Sequence, residues 1–172
     1  MLLILKALYF FLPAYIANMA PVLFRKIPFL AKPVNAKLFG ANKTWRGLVL
    51  ATIVGTLIFL LQKYLYTLGG FWENVALIDY TGFSVLLGFS LALGAILGDL
   101  VESYFKRKRG TAPGKPWFPW DQLDFVLGAF LLSFIIYVPA IEVIVMLLIL
   151  TPFLHVATNH VAYYLRIRKE KF

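Results

Sequence analysis

Four acidic residues stand in two pairs at the ends of one polar stretch of the sequence. Asp99 and Glu102 lie three residues apart at the end of an apolar run, and Asp121 and Asp124 lie three apart at the start of the next. On a helix this separation places both side chains of a pair on one face. Mg²⁺ prefers such oxygen ligands and commonly takes one or two carboxylates plus phosphate oxygens. The spacing therefore predicts a Mg²⁺ site built from these acids, with Asp99 and Asp124 as its core.

Basic residues fill the stretch between the two acid pairs. They are Lys106, Arg107, Lys108, Arg109 and Lys115. The acids are numerous enough to bind a divalent metal ion, and the bases are numerous enough to bind a polyphosphate. Together they suggest a metal–nucleotide site at a membrane surface.

A second candidate motif, FGANKTWRG at 39–47, precedes an apolar run. Asn42 is predicted to cap a helix there, with Lys43, Thr44 and Arg46 in or beside its first turn. Free backbone N–H groups and the helix dipole favour an anion at such a position, and two cations and a hydroxyl add donors. The motif therefore predicts phosphate contacts.

Each of these features also has a purely structural interpretation. Glu102 has a partner at i,i+4 in Lys106, and Asp121 suits a helix N-terminus. Short basic loops are normal on one side of a membrane protein. The loop 110–120 carries Trp117, Phe118 and Trp120, which fit an interfacial aromatic belt or, alternatively, a wall against a base or an isoprenoid chain.

The composition indicates a chain that lies largely in a membrane. Of its 172 residues 61% are hydrophobic, and the mean hydropathy is +0.80. Soluble domains are nearer to about 45–50% apolar, so we expect the excess apolar surface to face lipid. The net charge of +9 comes from bases in short loops, which favours an anionic membrane surface or a phosphate substrate over nucleic acid. The absence of cysteine excludes disulfides and thiolate catalysis.

The apolar runs predict an all-α integral membrane protein with five transmembrane helices in one catalytic domain. A span needs about 20 apolar residues, and the first run is too long for the apolar core of a signal peptide. The predicted spans are 2–24, 47–66, 81–97, 125–138 and 141–165. The third and fourth are short unless the helices continue through the acid pairs. Prolines within the spans are expected to kink their helices rather than end them: Pro13, Pro21 and Pro152.

The basic residues are distributed asymmetrically along the chain. All lysines and arginines except Lys6 and Lys63 fall in the loops 25–46 and 99–121 or in the C-terminal tail. The positive-inside rule then predicts an external N-terminus, a cytoplasmic C-terminus, and an active site that faces the cytoplasm of a multi-pass cell-membrane protein.

The last predicted span carries His155, Asn159 and His160. Their spacing does not match the HExxH motif of zinc hydrolases, and hydrogen bonding between helices is their ordinary role. Asn159 lies nearer the cytoplasmic end, where it could reach the site.

The segments GDLVESYFKR and PWDQLD resemble the membrane-integral CTP-dependent cytidylyltransferases. Within that group the chain is more similar to the archaeal CDP-archaeol synthases than to the CDP-diacylglycerol synthases, over nearly its whole length. The bacterial diacylglycerol enzymes typically carry a Gly-His-Gly-Gly element before the final acid pair, where this chain has GKPWFP at 114–119. The difference favours an isoprenoid ether lipid phosphate over a diacyl one.

The resemblance implies that CTP and a lipid phosphate react, with Mg²⁺, to give a CDP-lipid and pyrophosphate. Catalysis would be mainly positioning and charge stabilisation, with Lys43, Arg46 and Arg107 beside Asp99 and Asp124. The expected substrate-binding residues are Asn42, Lys43, Thr44, Arg46, Ser103, Lys106, Arg107, Lys115, Pro119 and Asn159.

Three alternatives remain open at this point. One is a phosphatidate cytidylyltransferase that acts on a diacyl lipid. A CDP-alcohol phosphotransferase also uses intramembrane acids, but its DxxDGxxAR signature is missing because Asp124 is followed by Phe-Val. A cation transporter would use Asp99 and Asp124 as a path, but it leaves the basic motifs unexplained, and transporters usually show paired repeats.

Overall fold

The computed structural model describes residues 2–112, 115 and 117–164, without the side chains of Asn159 and Ala162. Within these residues the chain is helical, with one short 3₁₀ turn at Tyr80–Gly82 and one isolated bridge between Pro33 and Thr44. The helices are α1 (Leu2–Leu23), α2 (Ala36–Phe39), α3 (Trp45–Thr67), α4 (Phe71–Val75), α5 (Leu86–Lys108), α6 (Trp120–Ser133) and α7 (Ile141–Tyr164). The predicted all-α class agrees with this architecture.

Four helices of the described chain are long and apolar enough to cross a membrane: α1, α3, α5 and α7. The remaining predicted span, 125–138, is shorter than expected, because α6 ends at Ser133. The amides of Ile136 and Tyr137 both bond to the Ser133 carbonyl at 2.8 Å, so a tight turn replaces the helical ladder there. At 1.5 Å per residue, α6 rises about 21 Å, less than the hydrocarbon thickness of about 30 Å.

Both acid pairs lie on regular helix, as the short apolar runs required. Helix α5 begins later than predicted, at Leu86, and continues past Asp99 and Glu102 to Lys108. Helix α6 begins at Trp120, immediately before Asp121. The acids are therefore held by the two long elements and not by the loop between them.

Proline does not end any of the long apolar helices. Helix α1 runs through Pro13 and Pro21, and α7 runs through Pro152, as predicted. Pro139 lies in the short connection between α6 and α7.

Helix α5 is the central element of the bundle. In its most apolar stretch of 18 residues 61% of the residues are buried, whereas the corresponding share is 33% in α1, 28% in α3 and 17% in α7. Its own composition allows this, because Gly88, Ala92 and Ala95 present little side-chain volume to the neighbouring helices.

Helices α5 and α6 pack antiparallel with their backbones in contact. A Cβ added at Gly98 would overlap the carbonyl oxygen of Asp124, and one added at Gly94 would overlap that of Gly128. Positions rise along α5 as they fall along α6, which fixes the antiparallel direction. Only glycine permits this approach, and it brings the acid-bearing ends of the two helices together.

Candidate active site

Three carboxylates converge where α5 and α6 meet. One oxygen from each of Asp99, Glu102 and Asp124 lies within 4.8 Å of the other two. Asp99 and Glu102 are one turn apart on α5, and Asp124 is placed opposite them by the contact at Gly98. We call these three residues the acid trio. Three negative charges this close require a cation or a proton between them.

Lys43 supplies a cation to the acid trio. Its Nζ atom lies 2.5 and 2.6 Å from the two carboxylate oxygens of Asp99. Burial lowers the pKa of the Lys43 amine, but the charge and hydrogen bonds of Asp99 and the charges of Asp124 and Glu102 outweigh it, so the pKa is raised. Lys43 therefore remains protonated, and its ammonium group stands where a metal ion would be attracted.

The loop that carries Lys43 is fixed by backbone hydrogen bonds. The amide of Val34 donates to the Lys43 carbonyl at 2.8 Å, and the amide of Trp45 donates to the Lys32 carbonyl at 3.1 Å. These bonds flank the bridge at Thr44 and fix the shape of the loop, and the Lys43–Asp99 contact joins the loop to the end of α5. The motif FGANKTWRG is thereby part of the acid site, although it lies more than 50 residues away in the sequence.

The predicted helix cap at Asn42 is wrong. Helix α3 begins at Trp45, and Thr44 caps it, with its hydroxyl accepting from the amide of Gly47 at 3.1 Å. The bridge to Pro33 gives Thr44 the extended backbone that an N-cap needs, so the helix starts two residues later. Asn42 lies exposed in the preceding turn.

Asp121 lies beside the acid trio but outside it. Its Oδ1 atom accepts from Lys106 Nζ, and its Oδ2 atom accepts from the amide of Trp117 at 2.5 Å. Lys106 also pairs with Glu102, at 3.2 Å. The i,i+4 pair and the helix-terminal role of Asp121 are therefore both present, while Glu102 belongs to the trio as well.

Two arginines near the trio have buried donor atoms that no acceptor within the described chain satisfies. These are the Nε atoms of Arg46 and Arg107. Arg46 also donates through Nη1 to the Ile27 carbonyl, and Arg107 donates through Nη2 to the Ala112 carbonyl at 3.4 Å. A buried N–H without a partner is costly, so both guanidinium groups suit a site completed by an anion.

The other predicted substrate residues have less direct positions. Ser103 is buried, and its hydroxyl is 3.5 Å from Glu102 Oε2. Lys115 is exposed, and Pro119 stands at the start of α6. The side chain of Asn159 lies outside the described residues.

A cavity of about 720 Å³ opens from the acid trio along α5 and α6 to α7. Glu102 and Asp124 line its polar end, together with Arg109, Trp117 and Trp120. Its remainder is apolar, with walls from Val101, Phe105, Leu127, Leu131, Phe134 and Leu148. The volume lies within the range of about 300–1,000 Å³ that is typical of small-molecule sites.

Arg109 and the aliphatic wall of this cavity were not among the predicted site residues. A signal was available, because Leu97, Val101, Phe105 and Arg109 repeat at four-residue intervals. Such residues form one stripe of a helix. The stripe ends in a base, which distinguishes it from an ordinary lipid-facing surface.

Comparison with known proteins gives a match over the whole chain. The family model described as "CarS-like: CDP-archaeol synthase" matches residues 1–172. A CDP-archaeol synthase of Pyrococcus furiosus is 33% identical over 168 residues, which cover 93% of each protein. One of Methanoregula boonei is 38% identical over 170 residues, covering 92% of this chain and 98% of that protein.

A solved structure also resembles the chain. It is described as an intramembrane enzyme for archaeal membrane lipid biosynthesis. The TM-score is 0.70 at 30% identity, and the similarity covers 91% of this chain and 94% of the other.

Proposed function

The chain belongs to the CDP-archaeol synthase family, and we propose on that basis that it is the CTP-dependent enzyme that makes CDP-archaeol. It transfers the cytidylyl group of CTP to the phosphate of an isoprenoid ether glycerol lipid, the 2,3-bis-O-geranylgeranylglycerol 1-phosphate type. The products are the CDP-activated lipid for membrane phospholipid synthesis and pyrophosphate. The observation that supports this assignment is the acid trio, bordered by two half-buried arginines with unpaired Nε atoms and by an apolar cavity.

The acid trio fits a divalent cation, which we propose to be Mg²⁺. Asp99, Glu102 and Asp124 offer the oxygen ligands that this ion prefers. The ammonium group of Lys43 already occupies the position of a cation beside them, which supports the fit. When bound, the ion would neutralise phosphate oxygens and the charge that develops on them.

The chain's own cations act on the nucleotide phosphates. Lys43, Arg46 and Arg107 lie on the side of the trio formed by residues 39–47, since a Cβ at Gly40 would lie 4.0 Å from Arg107 Cδ. On that side they would bind the triphosphate and stabilise the departing pyrophosphate. With the charge of Asp99 offset by a bound cation, the Lys43 ammonium group would be available to a phosphate oxygen.

The reaction needs no nucleophile from the protein. An oxygen of the lipid phosphate attacks the α-phosphorus of CTP, and a new P–O bond forms as the bond to the β-phosphate oxygen breaks. The leaving electron pair departs with pyrophosphate. Lys106 pairs with both Glu102 and Asp121 and so links the two carboxylates. Asp121 therefore acts as a positioning residue that helps to orient Glu102.

We further propose that α6 is a fifth membrane-embedded helix and that the acid trio faces the cytoplasm of a multi-pass cell-membrane protein. The bases of residues 25–46 and 106–109 all lie near the same end of the bundle, as the Lys43–Asp99 and Lys106–Asp121 contacts require. CTP is a cytoplasmic metabolite, which agrees with that orientation.

The assignment is tested with purified protein in detergent, labelled CTP, Mg²⁺ and two lipid phosphates at equal surface concentration. We expect pyrophosphate release and a labelled CDP-lipid, faster with the isoprenoid ether lipid than with the diacyl one. Equal or reversed rates would contradict the archaeol preference. Absence of both products with either lipid would contradict the cytidylyltransferase assignment itself.

A further inference from the structure

The cavity beside the acid trio has the character of a lipid site. Its walls are aliphatic and aromatic except at one end, where Glu102, Asp124 and Arg109 meet. Leu131 is a wall residue on α6 and is 77% exposed. The cavity is therefore a groove that opens sideways, onto the surface that faces the bilayer, so a lipid chain can enter without passing through water.

Arg109 is the single base among the described residues that line this groove. Its guanidinium carbon lies 4.9 Å from the ring centroid of Trp117, in a cation–π contact. Stacking orders the planar group at the groove mouth and leaves its N–H donors free to bind an anion in bidentate fashion. The neighbouring bases Lys43 and Lys106 are already held by carboxylates.

Arg107 and Arg109 serve different sides of α5. Arg109 is the C-cap of α5, and its amide still donates to the Phe105 carbonyl as in a helix. Two residues at helical spacing differ by a rotation of about 200°, so the side chains of Arg107 and Arg109 point in nearly opposite directions. Arg107 faces residues 39–47, whereas Arg109 lines the groove. The acid trio lies between the two sides, since Asp99 contacts Lys43 while Glu102 and Asp124 line the groove.

An in-line displacement needs the attacking and leaving oxygens on opposite sides of the α-phosphorus. Building on the proposed function, we infer that Arg109, stacked on Trp117, binds the phosphate of the lipid substrate at the mouth of the groove. The isoprenoid chain then lies along Val101, Phe105 and Leu127, and the remaining length extends into the bilayer. CTP occupies the other side of the trio.

Charge and polarity both favour the lipid over the nucleotide as the occupant of this groove. A cytosine ring and a ribose carry many hydrogen-bonding groups, and the aliphatic walls offer them no partners. A lipid phosphate has one anionic group and apolar chains, which matches one guanidinium at the end of an apolar groove.

The test measures lipid binding without turnover. In a W45F/W72F background, Trp117 and Trp120 remain as fluorescent reporters at the groove mouth. The protein in detergent is titrated with an isoprenoid ether lipid phosphate, and separately with the same lipid lacking phosphate. We expect a saturable change that needs the phosphate, and we expect Arg109→Gln to weaken binding by roughly tenfold to a hundredfold. The KM for the lipid should rise similarly in an unmodified background, while the KM for CTP stays within about twofold.

Lys108→Gln is the matched control, because Lys108 is exposed, adjacent, and absent from the groove. It removes the same charge from the membrane surface and should change lipid binding by less than about twofold. Two results would overturn the inference. One is an equal loss of lipid binding in Arg109→Gln and Lys108→Gln, and the other is a larger rise in the KM for CTP than in the KM for the lipid in Arg109→Gln.

The same experiments separate this inference from the proposed function. Pyrophosphate release with unchanged lipid binding in Arg109→Gln would leave the function standing and remove the lipid role of Arg109. Phosphate-dependent lipid binding through Arg109 without any product from CTP would support the lipid role of Arg109 and contradict the proposed function.

Discussion

Lys43 forms a bidentate contact with Asp99, with Nζ at 2.5 and 2.6 Å from the two carboxylate oxygens. The contact joins the loop before α3 to the end of α5 across 56 positions of sequence. It places the ammonium charge in competition with any metal ion that the acid trio binds. The same side chain can therefore hold the trio together without substrates and bind phosphate when they arrive.

Lys43→Gln should separate these two roles. Removal of the competing charge should tighten Mn²⁺ binding to the free protein several-fold, as measured by the paramagnetic resonance of unbound Mn²⁺. Turnover should fall by roughly tenfold to a hundredfold, because a charge-assisted phosphate contact is lost. Lys37→Gln is the control, since Lys37 lies exposed in the neighbouring helix α2. Unchanged Mn²⁺ affinity in Lys43→Gln would contradict the competition.

The glycine contact between α5 and α6 predicts a second effect. Gly98→Ala should push α6 away from α5, because its methyl group would overlap the Asp124 carbonyl. We expect a loss of about 1–3 kcal/mol in the free energy of unfolding, as for other overpacked sites, and weaker metal binding because Asp124 moves away from Asp99.

Gly82→Ala provides the comparison for Gly98→Ala. A Cβ at Gly82 meets nothing within 4 Å, and its φ is not positive, so its thermal midpoint and Mn²⁺ affinity should match the wild type. Wild-type Mn²⁺ affinity in Gly98→Ala would show that the glycine contact does not set the geometry of the acid trio.

Membrane orientation can be tested because the chain has no cysteine. Single cysteines at Lys108 and Asn74, both exposed positions, would lie at opposite ends of the bundle. In intact cells an impermeant maleimide should label the Asn74→Cys protein and spare Lys108→Cys, which should react only after lysis. Labelling of Lys108→Cys in intact cells would reverse the proposed orientation.

The Asp99–Glu102 half of the acid trio could be predicted from sequence because its determinants are local, whereas Asp124 joins it through the packing of α6 on α5. Three-residue spacing and an adjacent apolar run suffice to place Asp99 and Glu102 on one face of a helix. Other features depend on distant contacts. The start of α3 is set by the bridge from Thr44 to Pro33. Local preference alone therefore could not decide whether Asn42 or Thr44 caps the helix.

Arg109 illustrates a different limit of sequence reasoning. Its four-residue stripe was visible, but a stripe on a membrane helix usually faces lipid, and only the packing of α6 turns it into a groove. Asp121 resembles Asp124 in sequence, and the structure separates them through Lys106 and the Trp117 amide. The length of α6 likewise depended on a turn at Ser133 rather than on hydrophobicity.

The acids themselves give the most discriminating prediction, because the structure divides four similar residues into two groups. Asp99→Asn and Asp124→Asn keep side-chain size and an oxygen but remove the charge that would offset a divalent cation. Each should lower pyrophosphate release by at least about a hundredfold, near 2.7 kcal/mol, and extra Mg²⁺ should restore little. Asp121→Asn should retain more activity, since Asp121 pairs with Lys106 and accepts from the Trp117 amide, and it reaches the trio only through Glu102.

Stability should divide these residues differently from activity. Asp121→Asn breaks the pair with Lys106 and a helix-terminal contact, and Asp99→Asn breaks the pair with Lys43, so the thermal midpoint of both variants should fall. Asp124 forms none of the ion pairs of the described residues, so Asp124→Asn relieves repulsion among three close carboxylates and its midpoint should fall little or rise. Pyrophosphate release across a Mg²⁺ titration, with thermal unfolding of the same preparations, measures both properties. Near wild-type turnover in Asp99→Asn would end the metal-site assignment, because that residue lies in the trio and is also the partner of Lys43.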